Sequence, residues 1–301
     1  MLLLNNVLLV AAAGAVFLGT LYPLFLDALN LGKISVGPPY FEAVFAPIMA
    51  IAVFLMGIGP RTPWQQANLA KILKHLLPWF IVSVALGILV PLWFGRWTAP
   101  VVAGTSLGMW ALLTSMAYLV TRVRGSTSGS AWTTLRGMSR SNYGMLLAHA
   151  GIGVFILGVT LVKGYETSNE MRLRVGDVTM LDGYAFRLLA MEKMKGPNYS
   201  GIRGTLEVTL KGAKIDTLYP EKRLYTMQDS AMTEGAIYTS LFRDLYVALG
   251  EQVSRDEWVM RIQHKPMVNW IWGGCLFMAL GGLLAVSDRR YRLPLKSPTQ
   301  P

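Results

Sequence analysis

Long apolar runs separated by short polar breaks occupy most of the chain. Six of them, at about 4–26, 42–59, 76–94, 100–120, 142–163 and 268–286, are long enough for helices that cross a bilayer, which takes roughly 17–25 residues each. Between the fifth and sixth runs the pattern changes. MRLRVGD (171–177), YAFRLLAMEKM (184–194) and GTLEVTLKGAKIDTLYP (204–220) show partial alternation of apolar and polar positions, the signature of half-buried strands. Lys211-Gly212-Ala213-Lys214 predicts a hairpin tip. WVMRIQH (258–264) predicts a last strand leading into the sixth run, and RDLYVALG (243–250) fits either a strand or a short helix. The chain therefore divides into a five-helix region (1–163), a mainly-β domain (164–267), and a last helix with its tail (268–301).

Punctuation within this pattern is sparse. Pro23 and Pro47 fall inside apolar runs, where a packed bundle can satisfy the carbonyls they free. The Gly-Pro-Pro of LGKISVGPPYF (31–41) predicts a rigid, extended connection between the first two spans. The first run lacks a basic leader segment and is followed by more spans, so it reads as a retained helix.

Composition sharpens the class. Of 301 residues 53% are hydrophobic and only 15% charged, against roughly a quarter charged in soluble domains. The single cysteine, Cys275, excludes an internal disulfide and a CxxC pair, and three histidines with one cysteine leave no Cys/His metal cluster. The net charge of +11 is a topology signal. Residues 164–267, with Lys163 at their edge, hold 15 basic and 14 acidic residues, whereas the remainder holds 13 basic and 3 acidic. Eleven of those 13 concentrate at Arg61, Lys71 and Lys74, at Arg122, Arg124, Arg136 and Arg140, and in the tail at Arg289, Arg290, Arg292 and Lys296, while the opposite loops hold only Lys33 and Arg96. The positive-inside rule places the basic segments and both termini in the cytoplasm, and residues 164–267 outside, in the periplasm of a Gram-negative cell. The fold class is thus an α-helical integral membrane protein of six transmembrane helices with one small extracytoplasmic mainly-β domain, sited in an inner membrane. No nucleic-acid surface is expected.

His149 is the main chemical candidate. It lies in SNYGMLLAHAGIGVFILGVTLV (141–162), on the order of 10 Å from the end of the span at 1.5 Å per residue. An ionisable residue at that depth is a functional hypothesis. Gly144, Ala148, Gly151 and Gly158 make a small-residue stripe that admits a second helix or a flat macrocycle, and Gly153, one turn beyond His149, leaves room beside the imidazole. A neutral imidazole in an apolar site suits haem iron; a hydrogen bond to a neighbouring helix is the plainer alternative. His75 reads as an interfacial residue at the edge of span three, His264 as an edge residue before span six, and Cys275 as packing. No P-loop, GxGxxG, HExxH or Ser/His/Asp arrangement is present, so no catalytic residue is assigned.

Ten segments in order carry a resemblance: LLLNNVLLV (2–10), GTLYPL (19–24), LGKISVGPPYF (31–41), SNYGMLLAHAG (141–151), GPNYSG (196–201), YPEKRLY (219–225), MTEGAI (232–237), RDLYVALGE (243–251), KPMVNWIW (265–272) and LGGLLAVSDRRYR (280–292). Together they resemble the C-terminal half of a CcmF-type haem lyase, the integral-membrane synthetase of bacterial cytochrome c maturation. The resemblance implies a protein that takes haem from a periplasmic haem chaperone and joins its vinyl groups to the CxxCH thiols of apocytochrome c. It also implies a b-type haem held between two membrane histidines, with His149 matching one of them. The β domain would dock apocytochrome c, the haem chaperone or the thioreduction subunits.

The departures are equally specific. The family's tryptophan-rich WWD segment with its flanking histidines belongs to the N-terminal half, and the nine tryptophans here are scattered. The second membrane histidine is also absent, so the N-terminal half is expected as a partner and the chain alone should not catalyse attachment. Haem b is the expected cofactor and haem a substrate. A membrane transporter, or a non-enzymatic scaffold with a partner-binding outer domain, is the alternative; a sibling lyase serving nitrite reductase stays within the first reading.

Overall fold

The computed structural model describes residues 2–62, 69–125, 130–227 and 231–288. The tail residues Arg289, Arg290, Arg292 and Lys296 lie outside the described residues. Six helical segments are long and apolar enough to cross a membrane, and the chain is a multi-pass membrane protein with a β-sandwich inserted before its last span. The spans are α1 (Leu2–Ala28), a compound second span (Pro38–Arg61), α4 (Leu69–Trp93), α5 (Ala99–Arg124), α7 (Arg140–Tyr165) and α8 (Val268–Val286). A short α6 (Ala131–Arg136) precedes α7, its first turn capped by Ser130 Oγ, which accepts from Trp132 N at 3.3 Å.

Two expectations are corrected here. The Gly-Pro-Pro run is not wholly extended: α2 (Pro38–Tyr40) is the first turn of the second span, with its prolines at the opening positions, where a missing N–H leaves nothing unpaired. A wide turn, Phe41–Phe45, follows, in which Ala46 N bonds Phe41 O, and α3 (Ala46–Met56) then carries Pro47 near its start. The five-residue spacing lets the chain take up the proline without a break. Secondly, α4 begins at Leu69, several residues before the expected 76. His75 therefore lies within the helix, exposed, with its Nδ1 2.8 Å from Lys71 O. Lys71 and Lys74 had ended the apolar run without ending the helix.

The structure divides into two compact units, Met1–Leu157 with Gly273–Pro301, and Gly158–Trp272. In the first, Trp110 of α5 stacks on Phe54 at 5.4 Å, meets Phe80 edge-on, and donates from Nε1 to Phe54 O at 2.9 Å. Thr105 joins α5 to α4 through Gly87 O at 2.9 Å. In the membrane such close packing and hydrogen bonding, rather than hydrophobic burial, hold helices together. The small-residue stripe on α7 receives a helix. A methyl group added at Gly144 would lie 2.5 Å from Gly281 O, and one at Gly151 would lie 2.7 Å from Met278 N.

The second unit holds the sandwich. One sheet has the order β1 (Thr167–Arg174), β10 (Glu257–Pro266), β9 (Arg243–Ser254), β8 (Ala236–Thr239). The other runs β2 (Val178–Leu181), β3 (Tyr184–Lys195), β4 (Tyr199–Leu210), β6 (Glu221–Tyr225), β7 (Ala231–Glu234), with β5 (Ala213–Leu218) also on β4. All described pairings are antiparallel. Phe186, Leu188, Leu206 and Val208 interleave with Leu245, Val247, Met260 and Ile262, all fully buried; their alternation along each strand is what puts them inward. RDLYVALG is strand, and Lys211-Gly212 forms the predicted tip with both φ angles positive.

Candidate functional site

His149 sits two-thirds of the way from the end of α7 at Tyr165 towards its start, on the side that faces α5 and α3. Met145, Leu146, Thr114, Ser115, Tyr118 and Pro60 surround it in a narrow cleft. None of the nearby hydroxyls serves the imidazole. Thr114 Oγ1 donates to Trp110 O at 2.7 Å, Ser115 Oγ to Ala111 O at 2.8 Å, and Tyr118 OH accepts from Arg122. Among the described residues, the half-buried His149 ring has no hydrogen-bond partner. The plainer alternative, a bond to a neighbouring helix, is not found.

Space is the other half of the test for a haem. The cleft beside His149 has a free volume of about 10 Å³, room for roughly one water and not for a porphyrin. Gly153 does not open a slot either: a methyl group there would lie 2.8 Å from the Leu112 side chain and 2.9 Å from Gly108 O, because α5 occupies that face. The stripe facing α8 is likewise filled by helix. The donor chemistry suits haem iron, but among the described residues the cleft at His149 is too narrow for a haem.

The remaining histidine belongs to the β domain. His264 Nδ1 lies 2.8 Å from Asp182 Oδ2, its ring centroid is 5.7 Å from that of Tyr184, and Thr167 Oγ1 donates to the same Asp182 oxygen. Asp182 occupies the tip between β2 and β3 at φ +47. Thr167 and His264 face each other across β1 and β10, so one carboxylate ties the β2–β3 tip to the other sheet. Burial raises the Tyr184 phenol above its ordinary pKa, with Arg243 opposing. No local motif could have revealed this cluster, since Asp182 and His264 are 82 positions apart.

A buried carboxylate was also missed. Glu221 of β6 is 5% exposed and receives Arg203 Nε at 2.6 Å and Arg223 Nε at 2.7 Å. Burial works against its charge, but the two guanidinium groups outweigh it and hold the carboxyl below its usual value.

Residues 164–266 match the family model described as the CcmF C-terminal beta-sandwich. The chain is 42% identical over 299 residues to the cytochrome c-type biogenesis protein CcmF of Pseudomonas aeruginosa, covering 99% of this chain and 45% of that one. This chain matches the C-terminal half of the CcmF family. The Escherichia coli CcmF is 39% identical over 97% of this chain and 44% of its own length. A solved structure, that of a cytochrome c heme lyase CcmF, superposes with a TM-score of 0.73 over 95% of this chain and 45% of that one, at 22% identity; this likeness concerns the fold. The chain thus spans a little under half the length of the CcmF proteins it resembles.

Proposed function

We propose that this chain is the C-terminal part of a cytochrome c haem lyase and that the His149 imidazole would hold the iron of a membrane haem b. The observation that carries the reading is an imidazole inside a span with no hydrogen-bond partner among the described residues, in a chain similar over nearly its whole length to CcmF proteins. Haem b bound there would supply one-electron chemistry to keep an arriving haem reduced. His149 binds and orients: α5 packed against Gly153 and α8 packed against Gly151 fix the backbone that carries it. A second ligand, and further walls for the group, would come from an N-terminal half bearing the WWD segment. The basic residues Arg61, Arg122, Arg124, Arg136 and Arg140 face the cytoplasm and the β-sandwich faces the periplasm, where it meets apocytochrome c, the haem chaperone and the thioreduction subunits.

The test is a reduced-minus-oxidised spectrum of this chain co-purified with an N-terminal half. Low-spin b-type bands are expected for the unaltered pair and are lost in His149→Ala, while His264→Ala keeps them. A b-type spectrum that survives His149→Ala unchanged overturns the assignment.

A further inference from the structure

The hairpin tips of the β-sandwich differ in kind. Three two-residue tips are polar: Asp182-Gly183 between β2 and β3, Lys211-Gly212 between β4 and β5, and Arg255-Asp256 between β9 and β10. Such residues are what tight turns in water call for. The connection between β8 and β9 instead presents Leu241 and Phe242, 65% and 53% exposed. Two adjacent large apolar side chains at a turn contribute nothing to its geometry, and water disfavours them.

The location of this tip accounts for its chemistry. Phe242 O accepts from Met267 N at 2.8 Å, and Ser240 O accepts from Asn269 Nδ2 at 2.6 Å. The Phe242 ring lies 6.3 Å from that of Trp270. Met267, Asn269 and Trp270 are the residues where the chain leaves β10 and begins α8, a segment long and apolar enough to cross a membrane. All these contacts fall within one compact unit, Gly158–Trp272. The tip is therefore bonded to the first turn of a span, at the level where a membrane surface must lie. Arg243 and Lys265 stand directly behind it, aligned across β9 and β10 as neighbours of Pro266 and Asp244, as basic residues commonly do behind an interfacial apolar anchor. Arg255-Asp256, at the opposite end of β9, carries no apolar side chain.

We infer that the β8–β9 tip is a lipid-facing anchor: Leu241 and Phe242 insert at the boundary between headgroups and acyl chains and fix the β-sandwich against the bilayer. The anchor is independent of any haem chemistry. It uses the lipid surface as its partner, and a protein segment covering the same two residues is the competing occupant.

The experiment uses the full chain in phosphatidylcholine nanodiscs. Cys275→Ser removes the native thiol, and Leu241→Cys, Phe242→Cys and, as a control, Arg255→Cys each receive an environment-sensitive fluorophore. Circular dichroism confirms that each labelled variant keeps its helix and strand content, and two tip positions guard against one variant failing to fold. Labels at 241 and 242 are expected to be blue-shifted and quenched several-fold more by a lipid carrying a shallow nitroxide than by aqueous iodide, with the order reversed at 255. Equal iodide quenching at 241, 242 and 255 overturns the inference. So does protection of 241 and 242 from both quenchers, which marks them as covered by protein.

Discussion

Glu221 shows how much a single buried carboxylate can organise. It sits on β6 between Arg203 of the neighbouring strand and Arg223 two residues along, and both arginines remain partly exposed. Its pKa is held below the ordinary value, so its contribution to stability is present above the normal carboxylate range and is lost as pH falls through the folded value. Glu221→Gln is expected to lower stability by about 1–2 kcal/mol at neutral pH, with the difference from the unaltered chain shrinking in acid; thermal unfolding followed by near-ultraviolet circular dichroism at several pH values measures it. Asp244 behaves in the opposite sense. Burial raises its pKa, against hydrogen bonds from Thr239 and Ser240 and the charge of Lys265, so the folded state loses stability as pH rises through that value. In Asp244→Asn this loss should be absent.

At the scale of elements, α7 and α8 meet through glycine. Methyl groups at Gly151 or Gly274 would fall within 2.9 Å of backbone atoms of the facing helix, whereas Gly282, on another side of α8, has open space. Gly151→Leu should therefore force the helices apart and destabilise the bundle by about 1–3 kcal/mol or more, while Gly282→Leu should be nearly silent. Unfolding in detergent micelles separates the two outcomes. The six spans were legible because long apolar runs have few other uses in a chain of this composition. Less legible was whatever depended on a distant partner. Gly153 looked like room for a macrocycle because Leu112, which fills that room, is some forty positions away. The Pro38-Pro39 turn looked extended because an opening helical turn tolerates what a helix interior forbids. His149 stood out as a candidate because polarity at depth is visible in sequence, whereas its want of a hydrogen-bond partner among the described residues depends on how α3, α5 and α7 pack.

At the scale of the whole molecule, the His149 imidazole has no hydrogen-bond partner among the described residues, and the cleft beside it is too narrow for a haem. Titrated with haem alone, the chain should give at most a five-coordinate, high-spin spectrum. Adding an N-terminal half should convert this to a low-spin one, read directly from the Soret and α bands. A low-spin spectrum from the chain alone would mean that a second donor had been overlooked.

The pairing of β1 with β10 has a bearing on biosynthesis. Among the described residues, the strand that opens the β-sandwich has only the strand that closes it as its hydrogen-bonded neighbour in the sheet. During translation, then, the opening strand emerges behind α7 and must wait for about ninety further residues before its edge can be satisfied. Its sheet can close only when the ribosome has nearly reached α8. Until then an unpaired edge is exposed to whatever chaperones stand nearby.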